Sequence, residues 1–447
     1  MPPSFNRQAL RQLYAWKEDP ARKPLIVFGA RQVGKTTLVK DFARVTYQKL
    51  HYLNFEEKSV LSKIFVDDLE PAELIRRISI EVGGPISPSN DLIFFDEIQE
   101  CPQALTSLKY FAEKAPEFSI IAAGSLLGVA LSEGSFPVGK IDRLNLFPLT
   151  FNEYLDAFKQ GSLLAEHREE CLKKGEVFEP LHQKLLKALG HYLFTGGLPE
   201  IVATAVQGNF DYSHNEQIRH KQRSLVRDYL ADMAKHSGKV NAMHLERIFS
   251  CSALQLSTAD DRSTNRFKFQ GVVPGVSQYM RLSNAFDWLE KAGLIVKSYG
   301  VTSPIHPLRA QVKEGKFKSY LFDVGIMGAL AGVDPEAILQ QTPLSYKGFL
   351  AEQFVLQELR ALGHDYFYNW HSNEAEIEFL VEERGGIIPI EVKSGRNTRS
   401  RSLQSYTIKY APRKSFIVSG KSYVGLSGSD SVVRLLPLYM IGEYKNL

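Results

Sequence analysis

Residues Gly29 to Thr36 read G-A-R-Q-V-G-K-T: a glycine, four further residues, then Gly-Lys-Thr. This is the spacing of a Walker A motif. An apolar run at 25–28 precedes it, and a helical pattern at 37–43 follows it. In such a loop the glycines let backbone N–H groups surround a phosphate, and the helix N-terminus adds a favourable partial charge. The stretch therefore predicts a phosphate-binding loop, the alternative being a glycine-rich turn with an unrelated lysine.

The motif assigns individual roles to its residues. Lys35 is expected to reach the β- and γ-phosphates of a nucleotide, and the Thr36 hydroxyl is expected to bind Mg²⁺. ATP and Mg²⁺ are thus the predicted cofactors. The predicted nucleotide-binding residues of the loop are Gly29, Ala30, Arg31, Gln32, Val33, Gly34, Lys35, Thr36 and Thr37.

A second motif has the Walker B pattern. The apolar residues 92–95 are followed directly by Asp96 and Glu97. Asp96 is predicted to hold Mg²⁺, and Glu97 is predicted to polarise the attacking water. Phosphoryl transfer needs mainly positioning and charge neutralisation, which these acids and Lys35 supply. The pair favours a hydrolase, and the alternative is an acidic turn after a core strand.

Two more strands complete the predicted core. One, at 51–55, lies between the two Walker motifs, and the other, at 119–123, ends in Gly124-Ser125. An additional strand between the motifs is typical of the ATPase division of P-loop folds. Ser125 is then a candidate sensor of the γ-phosphate with a catalytic role, although a turn residue fits the same pattern. Strands alternating with helices predict an α/β fold with a parallel sheet, whose ligand binds at the carboxyl ends of the strands.

Composition is that of a soluble protein with several domains. The 447 residues suggest about three domains of ordinary size. Apolar runs of about five or six residues are far shorter than a membrane span, and the first residues contain no apolar signal core. The three isolated cysteines, Cys101, Cys171 and Cys251, indicate reduced thiols and a cytoplasmic location. A net charge of +4 excludes a polycation.

The chain resembles the AAA-like ATPases that carry a C-terminal domain of unknown function 4143. The resemblance rests on both Walker motifs, on A-A-G-S at 122–125, on L-N-L-F-P-L-T-F-N-E-Y at 144–154 and on F-T-G-G-L-P-E at 194–200. It continues in K-S-Y-L-F-D-V-G at 318–325 and in E-V-K at 391–393. It implies an ATPase core at 1–155, a helical lid at 156–238, a winged-helix-like domain at 239–335 and a nuclease-like domain at 336–447.

The helical lid contains one break with two interpretations. Leucines recur at helical spacing before it, and Gly196-Gly197-Leu198-Pro199 then interrupts the pattern. In related ATPases a Gly-x-Pro element at this place packs against the nucleotide base, which makes Pro199 a candidate nucleotide contact. An ordinary helix stop explains the residues equally well.

The winged-helix-like segment is a candidate contact for DNA. A helix is predicted to begin at Ser277, and a strand is predicted to follow Gly293. Residues 211–330 contain 17 Lys and Arg against 11 Asp and Glu. Such a surplus fits phosphate contacts, but it also fits a solvated surface or a domain that packs only against protein.

The C-terminal segment resembles the PD-(D/E)XK nuclease fold. By that resemblance Glu352, Glu378 and Glu391 would bind a second metal ion, and Lys393 would assist the attacking water. Glu378 stands where the family pattern has Asp, and a shift near 1 Å can cost on the order of 100-fold in rate, so cleavage could be lost while metal binding persists. The basic residues Arg396, Arg399 and Arg401 are candidate phosphate contacts, or else belong to a solvated loop.

Two classes of function remain open from the sequence. In the first, ATP hydrolysis drives action on a partner, with DNA or another nucleic acid favoured. In the second, the protein is a nucleotide-gated module that binds DNA or protein, and its nuclease-like domain is inactive. Both allow a homo-oligomer, because phosphoryl transfer is commonly assisted by an arginine from a neighbouring subunit.

Overall fold

The computed structural model describes residues 5–66, 68–125, 127–130, 139–208, 212–237, 239–258, 266–336, 348–372, 375–393, 400–426 and 432–447. The chain divides into two compact units. The first consists of Met1–Phe147 and Lys291–Gly293, and the second of Pro148–Glu290 and Leu294–Leu447. Among the described helices, none is both long enough and apolar enough to cross a bilayer.

The first unit alternates strands and helices along the chain. Its helices are α1 (Ala9–Glu18), α2 (Lys35–Thr46), α3 (Pro71–Glu81), α4 (Pro102–Lys114) and α5 (Leu127–Ala130), with 3₁₀ turns at Ser59–Phe65 and Ile98–Glu100. Its strands are β1 (Leu25–Phe28), β2 (Lys49–Asn54), β3 (Asp91–Asp96), β4 (Ser119–Ala123) and β5 (Asp142–Asn145).

These five strands form one sheet in the order β2-β3-β4-β1-β5, and every pair is parallel. The predicted α/β fold with a parallel P-loop sheet is confirmed. Every residue of β3 and β4 is buried, as expected for strands covered by helices on both faces. Strand β3 lies between β2 and β4, so the phosphate loop after β1 and the acids that end β3 share the carboxyl edge of the sheet. Strand β5 was not predicted from the sequence.

The glycines of the first motif are required by geometry. Gly34 caps the N-terminus of α2 in the left-handed region, at φ 95°. Gly29 has φ 152°, and a Cβ atom there would lie 2.3 Å from the carbonyl oxygen of Leu146. Side chains would therefore be strained at one position and excluded at the other. The loop between β1 and α2 can take this path only because both positions are glycine.

The second unit begins with a series of helices, which covers the predicted helical lid at 156–238 and continues into the predicted winged-helix-like segment. They are α6 (Phe151–Ala157), α7 (Gly161–Lys174), α8 (Glu179–Thr195), α9 (Pro199–Gly208), α10 (Tyr212–Ser237) and α11 (Lys239–Thr258). The later helices are α12 (Ser283–Lys291), α13 (Val324–Leu330), α14 (Gly348–Ala361) and α15 (Arg401–Tyr410), with 3₁₀ turns at Tyr279–Arg281, Leu308–Gln311 and Leu438–Asn446.

Eight strands of the second unit form a single mixed sheet in the order β12-β13-β11-β10-β9-β8-β6-β7. Their bounds are β6 (Ile295–Val301), β7 (Phe317–Leu321), β8 (Phe367–His371), β9 (Glu376–Glu383), β10 (Gly386–Val392), β11 (Ser415–Ser419), β12 (Gly425–Leu426) and β13 (Val433–Pro437). Strands β6 and β8, β10 and β11, and β11 and β13 run parallel, and the other pairs are antiparallel.

The segment predicted to resemble a winged helix differs from the expectation in two respects. The residues from 277 do not begin a long helix: a short 3₁₀ turn at Tyr279–Arg281 precedes α12, which begins at Ser283. Strands β6 and β7 do form a hairpin, but β6 also pairs with β8 of the C-terminal segment. The two segments that the sequence analysis separates at residue 335 therefore contribute to the same sheet.

Candidate functional site

The phosphate-loop lysine is held inside its own loop. Lys35 lies in the first turn of α2, and its Nζ donates hydrogen bonds of 2.9 Å to the carbonyl oxygens of both Gly29 and Ala30. Burial lowers the pKa of Lys35 to about 8, although the carboxylates of Glu97 and Asp96 oppose this shift. The ammonium is thus weakly compensated where an anionic phosphate is expected to bind.

The two Walker motifs meet at Thr36 and Asp96. The Thr36 hydroxyl donates a 2.8 Å hydrogen bond to Oδ2 of Asp96, which also accepts a 2.9 Å bond from the Tyr52 hydroxyl. Burial raises the pKa of Asp96, and the bonds from Thr36 and Tyr52 oppose that rise. Mg²⁺ takes oxygen ligands octahedrally at about 2.0–2.1 Å, which places neighbouring ligands roughly 2.9 Å apart. The spacing of the two oxygens therefore fits a pair of adjacent Mg²⁺ ligands.

Glu97 is fixed by residues from two other segments. Its Oε2 accepts a 2.7 Å bond from the Gln99 side chain and bonds of 3.3 Å from both the backbone N–H and the hydroxyl of Ser125. Its backbone occupies the left-handed region, at φ 49°, where residues other than glycine are uncommon. Backbone strain of this kind clusters at functional sites. The hydrogen bonds from Ser125 bring Glu97 and Ser125, which were predicted separately, into direct contact.

Two residues of the site were missed by the sequence analysis. Tyr52 contacts Asp96, and the ammonium of Lys40 lies 3.7 Å from the centroid of its ring. Gln99 supports Glu97 and approaches Gly124 closely, since a Cβ atom on that glycine would lie 2.1 Å from Oε1 of Gln99. The position of Gln99, two residues after Glu97, could have identified it as a site residue. The sequence contains no such signal for Tyr52, because an aromatic residue in a strand is usually part of the core.

The remaining loop residues serve the loop in different ways. Val33 is buried, and its carbonyl oxygen accepts a 3.0 Å bond from the Arg7 guanidinium, which anchors the loop to the chain before α1. Gln32 has a positive φ of 64°. Arg31 lies 3.9 Å from Glu56 in a partly exposed ion pair. Thr37 is exposed on α2. The nucleotide contacts expected of these loop residues stay a prediction.

Pro199 belongs to the second unit, where the loop before it has a structural role. Pro199 begins α9, directly after the Gly196–Gly197 turn. The Gly197 N–H donates a 2.7 Å bond to the buried carboxylate of Asp323, and Asp323 also caps α13 by accepting a 3.0 Å bond from Ile326. Burial raises the pKa of Asp323 to about 6. These contacts explain the two glycines, because the turn at 323–325 (D-V-G) docks against them. The nucleotide contact of Pro199 stays a prediction.

The same turn gives a test of packing in the second unit. A Cβ atom on Gly325 in α13 would lie 2.4 Å from the carbonyl oxygen of Thr195, so we expect Gly325→Ala to lower the free energy of unfolding by about 1–3 kcal/mol. Gly328 on the same helix has open space around its Cα, and Gly328→Ala should be neutral or stabilise by up to about 1 kcal/mol. Urea unfolding of both variants would measure this, and equal effects would contradict the close approach.

The predicted second metal site has its residues near one another, but not as a metal centre. Glu352 lies on α14, Glu378 on β9 and Glu391 on β10, where Lys393 follows and pairs with Glu391. In the part of the chain that the structure covers, no three His, Cys, Asp or Glu side chains form a group that could hold a metal ion. This site therefore stays a prediction. Arg401 begins α15, whereas Arg396 and Arg399 lie outside the described residues.

Models of three protein families match the sequence. An AAA domain matches residues 21–155 and includes both Walker motifs. A domain of unknown function, DUF8612, matches residues 186–337, and a second one, DUF4143, matches residues 347–439. No curated protein matches the chain.

Several solved structures are similar to this chain at low identity. A single-substitution variant of RuvB from Thermotoga maritima has 16% identity and a TM-score of 0.29, with 66% of this chain and 86% of that chain covered. The RuvB Holliday junction branch migration motor of the same organism has 14% identity and a TM-score of 0.29, with 67% of this chain and 90% of that chain covered. A signal transduction ATPase with numerous domains and a tetratricopeptide repeat sensor, from Pyrococcus horikoshii, has 14% identity and a TM-score of 0.27, with 81% and 46% covered.

Proposed function

The chain carries an AAA domain of the P-loop ATPase class together with a C-terminal DUF4143 domain, and from this premise we propose that it binds ATP with Mg²⁺ and hydrolyses the nucleotide. The observation that carries the proposal is the hydrogen bond from Thr36 to Asp96. It joins two motifs that lie 60 residues apart in sequence, at the edge of the sheet where ligands of such folds bind.

Each residue has a distinct role in the proposed reaction. The backbone N–H groups of residues 29–36 surround the phosphates, and the Lys35 ammonium neutralises the β- and γ-phosphates. The oxygens of Thr36 and Asp96 would hold Mg²⁺, which would supply positive charge to offset that developing on the transferred phosphoryl group. These residues position and neutralise the substrate, which is most of what phosphoryl transfer requires.

Glu97 is the proposed base that orients the attacking water. Gln99 and Ser125 hold its carboxylate, so its position depends on both neighbours. In this structure the Ser125 hydroxyl donates a hydrogen bond to Glu97. A γ-phosphate that accepted a hydrogen bond from the same hydroxyl would compete with Glu97 for it. We infer that Ser125 couples the state of the nucleotide to the position of the base.

The test is an assay of phosphate release by the purified full-length chain. We expect turnover that requires Mg²⁺ and stops when the metal is removed with a chelator. The assay is then repeated with single-stranded DNA, double-stranded DNA and RNA. Absence of both ATP binding and phosphate release at millimolar ATP and Mg²⁺ would contradict the proposal.

A nucleic acid is the favoured partner to which hydrolysis would be coupled. The basic surplus of residues 211–330 supports this, although two of its members, Lys297 and Lys318, are buried in ion pairs and cannot contact a phosphate backbone. Stimulation of turnover by one of the nucleic acids would support a motor or switch. Tight nucleotide binding without turnover would support the alternative, a nucleotide-gated module. In either case a homo-oligomer is compatible with the proposal.

The nuclease-like character of the C-terminal segment has one supporting observation. The order of its elements is helix α14, strands β8, β9 and β10, helix α15 and strand β11, with β10 and β11 parallel. Glu352 lies on helix α14, and Glu378 and Glu391 lie on the paired strands β9 and β10, which supports the resemblance. Fold alone does not confer activity, so cleavage by this segment is not part of the proposed function.

A further inference from the structure

An unusual arrangement of charges lies on the sheet of the second unit. It combines side chains from β7, β9, β10, the residue after β10 and α14; Lys318 and Glu391 are buried, and the others are partly buried. The group consists of the carboxyl groups of Glu352, Glu376, Glu378 and Glu391 and the ammonium groups of Lys318 and Lys393. We refer to these six side chains as the carboxylate cluster. Only part of it was predicted, because Lys318 and Glu376 were not assigned to a site.

Lys318 is the central cation of the carboxylate cluster. Its Nζ lies 3.2 Å from Oε2 of Glu352 and 2.7 Å from Oε1 of Glu376, and the residue is only 7% exposed. The Tyr320 hydroxyl donates a further 2.7 Å bond to Glu352. Lys318 is thus held in ion pairs with two carboxylates that come from different elements of the fold.

Glu378 and Glu391 lie on the paired strands β9 and β10. Glu378 accepts a 2.9 Å bond from the Val392 N–H. Glu391 is 1% exposed and pairs through Oε1 with Lys393. Its Oε2 is buried and makes no hydrogen bond within the described residues, while the Ser400 side chain also interacts with the Glu391 carboxylate. Buried carboxylate oxygens are of the type that divalent cations bind.

We propose that the Lys318 ammonium is the built-in cation of the carboxylate cluster, taking the place that a divalent metal ion would need, so that removal of Lys318 opens a metal site. In a buried setting a divalent ion placed between Glu352 and Glu376 would be strongly repelled by the Lys318 ammonium that lies there. An ion would also need about six oxygen ligands, and Glu352 and Glu376 already face the lysine. This inference concerns the second unit and does not depend on ATP hydrolysis.

The proposal also accounts for the first half of the K-S-Y-L-F-D-V-G motif at 318–325. Lys318 supplies the cation, and Tyr320 orients the carboxylate of Glu352. Asp323 and Gly325 form the turn that docks against the Gly196–Gly197 loop. One short segment thus supplies a cation to the carboxylate cluster and fixes the neighbouring helix.

The test measures Mn²⁺ binding to the full-length chain by electron paramagnetic resonance, without nucleotide. All proteins carry Asp96→Asn, which removes the metal ligand of the ATP site. We expect Lys318→Met to gain one Mn²⁺ site that binds at least about tenfold more tightly than any site of the parent. Adding Glu391→Gln should abolish the gained site. Lys318→Arg, which retains the positive charge, should gain none.

Three results would overturn the proposal. The first is a Mn²⁺ site in the parent that Glu391→Gln removes, because metal and lysine would then coexist. The second is a folded Lys318→Met protein that gains no site. The third concerns stability, since unpaired buried carboxylates could prevent Lys318→Met from folding. In that event Mn²⁺ should restore the fold, as seen by circular dichroism, and a variant that stays unfolded with and without millimolar Mn²⁺ would contradict the assignment.

Discussion

A Glu97→Gln variant is expected to bind ATP normally and to hydrolyse it about 100- to 10,000-fold more slowly than the parent, the range by which a positioned general base usually contributes. The amide keeps an oxygen that can accept the bonds from Gln99 and Ser125, so the local structure should persist. It cannot take a proton from water as a carboxylate does. Calorimetry for nucleotide binding and phosphate release for turnover would separate the two effects.

Glu100→Gln provides the matched control for this variant. Glu100 lies three residues further along, in the 3₁₀ turn that follows β3, and its side chain is exposed. The control removes one negative charge from the same turn and should leave turnover unchanged. If Glu97→Gln retained full turnover, the water-orienting role would have to be assigned to another residue. If both variants were equally slow, the effect would be one of net charge.

The placement of the candidate site residues in the first unit could be predicted because its determinants are local. Short apolar runs ending in Gly29 and in Asp96 mark strands whose carboxyl ends carry these residues, and a parallel sheet brings such ends together. The contact between Thr36 and Asp96 follows from this rule. The contact between Ser125 and Glu97 follows as well, since β3 and β4 are neighbours in the sheet.

Features that depend on distant pairing could not be predicted in this way. Strand β5 is four residues long and has only one buried residue, so it lacks both the apolar run and the alternation that identify strands. The pairing of β6 with β8 joins residues about 70 positions apart, and no local pattern encodes such a partner. From the sequence alone Lys318 could not be distinguished from a surface lysine of a basic segment, because no local pattern identifies its partners. Its partners, Glu352 and Glu376, come from other elements of the fold.

The difference between the two units has a physical origin. In the first unit the functional side chains follow buried strands directly, so spacing along the sequence determines their position at the site. In the second unit Lys318 on β7 lies at least 34 residues from the acids that it contacts, Glu352 and Glu376. Their pairing is decided by tertiary packing, and the sequence indicated only the alternation that places Glu376 and Glu378 on one face of a strand and Glu391 and Lys393 on one face of the next.

Replacement of the loop lysine should have the largest effect on nucleotide binding. Lys35→Ala removes the cation that faces the β- and γ-phosphates, and charge-assisted hydrogen bonds contribute about 1.5–3 kcal/mol each. Two such bonds correspond to a loss of roughly 100-fold or more in ATP affinity. Titration calorimetry would measure the loss. Arg44→Ala removes a positive charge from the exposed side of the same helix and should leave the affinity unchanged.

The pKa of Lys35 adds a second readout that a merely structural lysine would not give. Burial lowers this pKa to about 8 in the nucleotide-free protein, whereas the bound phosphates favour the ammonium form. ATP binding should therefore take up protons near pH 8, and the affinity should fall by about tenfold between pH 7 and pH 9, because the free lysine is then mostly neutral. Calorimetry in buffers of different ionisation enthalpy measures this uptake. An affinity that is constant from pH 7 to pH 9 would show that the Lys35 ammonium does not bind the phosphates.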